Sequence, residues 1–387
     1  MKKILILANK YPNILEPTTN MFIQQLAWAF SDMNYDCQVI CPLPINLNRK
    51  YNLIPYECNE ETENGNKVKI YHPKYISLGQ SGKFLQKFRV KFTTKMYEMA
   101  VDRILKRMCK KPDYIYSYFL CPTSVVASRL GKKYHIPAFM EHGEALYTGN
   151  EKYGNEKLKK ELTGLTGVIA VSNQNKRYVV DSGIVDENIV TVYPNCFREE
   201  RFYHINKKEA RKHFGWNEEM FIVGFAGSFD NRKGVLRLQS AVDKLENVYF
   251  ACAGSGEDKP TSKKCIWAKP VLHSELVYFY NSLDVFVLPT LAEGSCTATA
   301  EAIGCGCPII SSNKEFNENL CDTSNSILVN PESIEDIKNA IEMLYNDRNL
   351  VKNMSKGSME KAKNLRQKDR MIKVSEFIEK MVKEEIK

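Results

Sequence analysis

Two glutamates eight residues apart, Glu293 and Glu301, are the residues of this chain whose type and setting most invite chemistry. The apolar run Val285-Phe286-Val287-Leu288 precedes them and reads as a buried strand. Gly294-Ser295 reads as a turn, and the residues from Cys296 to Gly304 as a short helix. The strand delivers Glu293 to its carboxyl end, and Gly294-Ser295 lets backbone approach a ligand closely. At about 1.5 Å per residue, Glu301 stands roughly 8–10 Å along the helix. Carboxylates so separated can grip two hydroxyl-bearing groups of one elongated ligand. Ala298, Ala300 and Ala302 make Glu301 the odd polar residue on a packed element rather than a solvated one.

Two glycine-bearing turns accompany this segment. Gly227-Ser228-Phe229-Asp230-Asn231-Arg232-Lys233-Gly234 follows a strand near 221–226 and opens a helix. Backbone N–H groups, a helix N-terminus and the charges of Arg232 and Lys233 suit a diphosphate there. Gly254-Ser255-Gly256 follows a second strand near 248–253. Taken singly, each also reads as an ordinary tight or surface turn. Their weight comes from sharing the carboxyl edge of one sheet, where open parallel sheets bind ligands.

The elements that must position these residues alternate along the whole chain. Short β-branched runs are predicted near 3–8, 37–41, 114–118, 138–141, 168–171 and 190–193, with helices over 21–33, 122–134 and 173–182. The second half repeats the scheme, with strands near 221–226, 248–253, 266–269, 285–289, 308–311 and 327–330 and helices between them. With 387 residues, two α/β domains are expected: 1–195, and 206–370. Between them runs Tyr193-Pro194-Asn195-Cys196-Phe197, then charged, strand-poor sequence to about Trp216, read as a linker. A last helix within 371–387 carries Ile372, Val374, Phe377, Ile378, Met381 and Val382 and must dock, with the N-terminal domain available.

Composition narrows the class. The chain is 43% hydrophobic and 26% charged, so neither half reads as disordered. Twelve cysteines lie scattered from Cys37 to Cys321 without paired metal spacing, which predicts reduced thiols in cytosol and no metal site. Cys305 and Cys307 read as small buried side chains. No segment approaches the roughly 20 apolar residues of a membrane-spanning helix, so membrane association, if any, is expected to be peripheral. The formal charge of +9 is concentrated between Lys83 and Lys111, where Phe84, Phe88, Phe92, Met96 and Tyr97 thread through the basic residues at helical spacing. Two readings stand: a solvated outer face, or a surface for an anionic membrane or lipid-phosphate acceptor. No nucleic-acid-binding motif accompanies the charge, so no nucleic acid partner is expected.

On these residues the chain resembles the retaining GT-B glycosyltransferases known as group 1, or family 4. The resemblance runs over nearly the whole length. Glu293 and Glu301 match the family's pair of glutamates eight apart; Gly227 with Lys233-Gly234, and Gly254 with Gly256, match its two glycine loops. His142-Gly143 matches its HG pair, and Val171-Ser172 its strand-to-helix turn. The resemblance implies two Rossmann-like parallel-sheet domains, with the C-terminal helix returning to the first. It also implies transfer of a sugar from a nucleoside-diphosphate sugar to a saccharide or lipid-linked acceptor hydroxyl, with retention and without metal or cofactor. Lys233 would neutralise the diphosphate, and Glu301 would hold the ribose hydroxyls. Glu293, with the N–H groups around Gly294 and Ser295, would hold the transferred sugar, and His142 would reach it from the first domain.

Three positions depart from the family pattern. Ser228 stands where an Arg is usual, with Arg232 a substitute. Asn20 stands among the residues that replace glycines after the first strand. Cys196 replaces the glycine of the linker's Pro-Asn-Gly. These departures keep two alternatives open, a noncatalytic nucleotide-sugar-binding subunit and a GT-B-fold epimerase.

Overall fold

The computed structural model describes residues 1–79, 85–147 and 153–385. The chain divides into two compact units, one of residues 1–171, 175–193 and 371–387, the other of residues 172–174 and 194–370.

In the N-terminal unit the described strands are β1 (Lys2–Leu7), β2 (Tyr35–Ile40), β3 (Leu43–Pro44), β4 (Glu57–Glu61), β5 (Lys67–Tyr71), β6 (Lys74–Tyr75), β7 (Tyr114–Tyr118), β8 (Ala138–His142), β9 (Gly167–Ala170) and β10 (Val190–Val192). Eight of them form one sheet in the order β10-β9-β8-β7-β1-β2-β5-β4, while β3 pairs with β6. All neighbours in the large sheet are parallel except β4, which runs antiparallel along β5. Helix α1 (Met21–Asp32) buries Ile23, Leu26, Ala27 and Phe30, the 3–4 spacing of one helical stripe. It is followed by α2 (Gln86–Arg107), α3 (Val125–Tyr134), α4 (Asn155–Leu162) and α5 (Asn173–Asp181). The segment read as a basic helix or helix pair is the single helix α2; Lys83 and Phe84 lie outside the described residues. Ahead of α1, Asn20 takes the left-handed conformation, φ 45°, that a glycine would supply there.

The C-terminal unit contains α6 (Lys207–Phe214), β11 (Phe221–Ala226), α7 (Val235–Asp243), β12 (Val248–Ala253), β13 (Cys265–Lys269), α8 (Leu276–Asn281), β14 (Val285–Leu288), α9 (Thr297–Gly304), β15 (Ile309–Ser312), β16 (Ser326–Val329), α10 (Ile334–Asn346) and α11 (Arg348–Ala362). Its six strands are all parallel, ordered β13-β12-β11-β14-β15-β16. Helices cover both faces, so β11 and β14 are buried along their whole length and read as unbroken apolar runs.

The last helix, α12 (Gln367–Glu385), buries Met371, Val374, Ile378 and Met381 in the same core as Tyr35 and Phe139 of the N-terminal unit. Ile386 lies outside the described residues. The stretch read as linker is structured: α6 lies within it, and its Arg211 is buried, donating to Asp284 at 2.7 Å and to the Ser282 carbonyl at 3.0 Å.

Candidate active site

The order of the C-terminal sheet reverses between β11 and β14, and at such a switch point two carboxyl-end loops diverge and leave a crevice. The loop after β11 carries Arg232 and Lys233; the loop after β14 carries Glu293. They meet there. Lys233 Nζ and Arg232 Nη1 each lie 2.7 Å from Glu293 Oε1. Thr290 Oγ1 donates to the same oxygen at 3.0 Å, and Arg232 also donates to the Ala292 carbonyl at 2.8 Å. Glu293 is buried, and so is most of the Lys233 side chain. Burial alone would lower the Lys233 ammonium, but the Cys296 thiol and the Glu293 carboxylate outweigh it and hold it above its ordinary value.

Two helices start at this edge without a side-chain cap. Helix α7 follows Gly234, whose φ of 84° and close approach to the Pro289 carbonyl require glycine. Helix α9 follows Cys296, which makes no capping bond. Their first-turn N–H groups remain available to an anion. Ser228, at the position of the family's Arg, donates to Asp230 at 2.5 Å, and Asp230 accepts the Lys233 N–H at 2.8 Å, so the loop is tied to itself. Gly254 has a reason other than a ligand: a Cβ there would lie 1.9 Å from the Gly227 carbonyl oxygen. Gly256 pairs with Phe229 in an isolated bridge. The second glycine loop therefore packs on the first.

Glu301 occupies a different environment. It is buried on α9, accepts from Tyr280 Oη at 2.9 Å, and has the His273 ring 3.9 Å away. Burial pushes its carboxyl up to about 7, with the Tyr280 hydroxyl opposing part of that rise. The His273 ring stands between Glu301 and Arg201, whose guanidinium lies 2.9 Å from Nδ1. Asn195, which the sequence did not single out, holds the turn after Glu293. Its side chain donates to the Ser295 carbonyl at 2.7 Å and to Thr297 at 3.2 Å, and its N–H donates to Ser295 Oγ at 3.2 Å.

In the N-terminal unit, His142 ends β8 fully buried. Its Nδ1 is 2.5 Å from Glu144 Oε2, a close contact rather than an aligned hydrogen bond. Glu144 also accepts the Leu120 N–H at 2.5 Å. Burial would raise this carboxyl, yet the His142 imidazole beside it and the Leu120 N–H hold it below its ordinary value. Tyr147 and Tyr178 stack with ring centroids 3.6 Å apart, about 6 Å from the imidazole. Sequence reasoning missed Glu144, although an acid two residues beyond a strand-end histidine was a readable signal. Among the described residues, no three His, Cys, Asp or Glu side chains gather as a metal cluster requires. No described helix is long and apolar enough to cross a membrane.

Known proteins show the family to which the chain is related. Residues 206–361 match the family model for glycosyl transferases group 1. A Bacillus subtilis (strain 168) protein, TuaC, named for a glycosyltransferase of teichuronic acid biosynthesis, is 23% identical over 353 residues, 88% of each chain. A D-inositol 3-phosphate glycosyltransferase of Paenarthrobacter aurescens is 31% identical over 280 residues, 64% of this chain and 68% of that one. Among solved structures, sucrose-phosphate synthase from Thermosynechococcus elongatus superposes with a TM-score of 0.78 over 99% of both chains at 15% identity, a likeness of fold. With the family model on the unit that carries Lys233 and Glu293, and that second relative aligned over two thirds of its length, the chain belongs to the group 1 glycosyltransferases, enzymes of the two-Rossmann GT-B fold.

Proposed function

We propose that the C-terminal unit binds a nucleoside-diphosphate sugar and that the N-terminal unit serves the acceptor, the sugar passing to an acceptor hydroxyl with retention. The observation that carries this reading is the buried Lys233–Glu293 pair at the sheet's switch point, beside two uncapped helix N-termini. An arriving diphosphate supplies the negative charge that Glu293 supplies in its absence. Lys233 then turns to the phosphates, together with the N–H groups at the starts of α7 and α9 and with Arg232 in place of the family's Arg at Ser228. Glu293, released, accepts hydroxyls of the transferred sugar beside Gly294 and Ser295. Glu301 accepts the ribose hydroxyls, and His142 contacts the donor. Gly227, Gly254 and Gly256 shape the floor by letting the two loops touch.

The leaving diphosphate carries most of the developing charge, so fixed N–H dipoles and Lys233 are the main electrostatic stabilisers, with no metal needed in this scheme. Neither glutamate is disposed as a nucleophile. Glu293 is held by two cations and Thr290, and Glu301 is enclosed with Tyr280, which favours attack from the face of the departing phosphate over a covalent intermediate. The kinship with TuaC, named for teichuronic acid biosynthesis, supports a place in surface-polysaccharide or glycolipid assembly. The exposed face of α2, with Lys87, Lys91, Lys95, Phe88 and Met99, suits peripheral attachment to an anionic membrane. Arg89 turns instead to the Leu78 carbonyl.

Release of UDP or GDP from a panel of nucleotide sugars, with and without lipid-linked and free saccharide acceptors, tests the reaction. Acceptor-dependent release with the donor's anomeric configuration preserved in the product, read by proton NMR, supports the reading; inversion overturns retention. Co-sedimentation with anionic vesicles across a salt series tests the membrane face. Binding should weaken with salt and with Lys87, Lys91 and Lys95 changed to Gln, and indifference to both returns α2 to a solvated face.

A further inference from the structure

The C-terminal unit holds a cavity of about 560 Å³ that none of the proposed donor residues lines. It lies at the amino ends of β14 and β15, where Leu283, Asp284 and Pro308 wall it, whereas the loops of Lys233 and Glu293 leave the carboxyl edge of the same sheet. Small-molecule sites occupy roughly 300–1,000 Å³ and set a few convergent polar groups in a mostly apolar wall. This cavity has both parts. Buried Leu283, Pro308 and Val351, with the exposed Met359, form the apolar side. Lys207, Lys352 and Lys356 bring ammonium groups to it.

The charges do not balance. Asp284 is the one acid among the lining residues, and its oxygens are already satisfied. Oδ2 accepts from Arg211 Nη2 and from the Ile222 N–H, each at 2.7 Å, while Oδ1 lies 2.7 Å from Lys207 Nζ and 3.9 Å from Arg348. Three cations thus gather on one carboxylate. Burial pushes the Cys305 and Cys307 thiols up, so they add no negative charge to the wall. Lys352 and Lys356 are exposed and form no ion pair with a described residue. They stand four apart on α11, where Cβ atoms are about 5–6 Å from each other and like charges repel. An anion set between them relieves that repulsion. We propose that this cavity is a second ligand site, for an organic phosphate monoester whose phosphate bridges Lys352 and Lys356 while its body lies against Leu283, Pro308, Val351 and Met359. Near neutral pH such a phosphate carries close to two negative charges and several acceptor oxygens, which matches the two unpaired ammonium groups.

Calorimetric titration of the full-length protein with phenyl phosphate, whose ring and phosphate stand for the two halves of the ligand, tests the site. The double variant Lys352→Gln, Lys356→Gln removes both charges from exposed positions, and an unchanged melting temperature without ligand certifies its fold. A binding component of the wild type should weaken about 10-fold or more in the double variant. The same component should persist in Lys233→Ala, which marks it as separate from the switch-point crevice. Inorganic phosphate, which has no apolar body, should bind there about 10-fold more weakly than phenyl phosphate. Glucose 1-phosphate and AMP, titrated in the same three proteins, distinguish a sugar phosphate from a nucleotide as the source of this chemistry. A component that survives in the double variant, or one that only Lys233→Ala removes, overturns the proposal, as does an absence of binding to the wild type. Equal affinity for inorganic and phenyl phosphate overturns it as well, because the apolar wall then holds nothing.

Discussion

Glu293 and Glu301 are the same residue type, eight positions apart, both buried in the same unit, and their electrostatic settings are opposite. Glu293 sits between two cations and a hydroxyl, each within 3.0 Å. Glu301 has one neutral donor, Tyr280, and an imidazole at 3.9 Å. The first is a carboxylate whose counter-charges must be exchanged before it can act. The second is a carboxylate for which ionisation itself is in question at neutral pH. The fold explains the contrast. Glu293 lies in the loop at the switch point, where a neighbouring strand's loop brings cations to it; Glu301 lies about one turn into α9, against Tyr280 of α8 and the His273 ring.

The largest expected effect breaks the first environment. Lys233→Ala removes the cation that an incoming diphosphate would take over, and truncating a buried charge-assisted contact costs on the order of 2–3 kcal/mol. Nucleoside diphosphate affinity should fall roughly 100-fold by calorimetry. An unchanged Kd would remove Lys233 from the diphosphate site.

Glu293→Gln tests the exchange from the other side. If the carboxylate serves the transferred sugar once the phosphates hold Lys233, kcat should fall about 30-fold, roughly 2 kcal/mol. Nucleoside diphosphate affinity should stay level or improve, because the anion no longer competes with a resident carboxylate. A variant that loses diphosphate binding and keeps its turnover would reverse the assigned roles.

Much of this architecture can be read from the chain, and the exceptions have physical causes. Buried parallel strands such as β11 and β14 are continuous apolar runs, and their carboxyl-end loops carry visible glycines and charges. The hairpin β4–β5 escapes notice because β4 is an edge strand of Glu, Cys and Asn, whose exposed face leaves no alternation to detect. Helix α6 hides in the stretch read as linker because five of its eight residues are Lys, Arg or Glu; its one deeply buried charge, Arg211, is satisfied by Asp284, 73 positions away. Distance in sequence also hides the ion pair itself. Lys233 and Glu293 are sixty residues apart, and only the reversal of strand order brings their loops together. Gly254 carries the opposite lesson, a residue legible as a ligand loop whose space is demanded by the neighbouring backbone.

The second environment makes a prediction about pH. The Glu301 carboxyl is pushed up to about 7 by burial, so the ligand-free protein holds it increasingly protonated below that pH. A protonated carboxyl has lost its charge and part of its acceptor capacity, and holds two ribose hydroxyls less tightly. Wild-type nucleotide affinity should therefore drop about 5-fold from pH 7 to pH 6 relative to Glu301→Gln, which has no such titration and cancels the nucleotide's own. The linkage to stability has the opposite sense. A carboxyl raised in the folded state stabilises it at low pH, and that contribution is lost as pH rises from the ordinary 4.5 through about 7. The melting temperature of Glu301→Gln should consequently gain on the wild type across that interval. Parallel curves for the two proteins, in binding and in melting, would show that Glu301 does not titrate there.

The smallest effect comes from the single neutral bond on which Glu301 depends. Tyr280 donates to its Oε2 at 2.9 Å, while the ring is fully buried against Phe202, Phe279 and Phe286. Tyr280→Phe keeps that packing and deletes only the hydroxyl, so the change reports on the hydrogen bond rather than on a cavity. Because the bond favours the ionised form, its loss leaves burial less opposed, and the midpoint of the pH-dependent nucleotide affinity should move upward from about 7. A net hydrogen bond of about 1 kcal/mol corresponds to somewhat less than one pH unit, or about 5-fold in affinity at a fixed pH below the midpoint. Above pH 8 or so, where both proteins hold the carboxylate ionised, the two affinities should converge to within the weaker geometric effect of an unpartnered oxygen. The same series on Lys233→Ala should show its deficit at every pH, since that deficit comes from a missing charge and not from a proton. If Tyr280→Phe also lowers affinity uniformly, with no movement of the midpoint, Tyr280 orients Glu301 without stabilising its charge, and the two glutamates differ less in their electrostatics than their surroundings indicate.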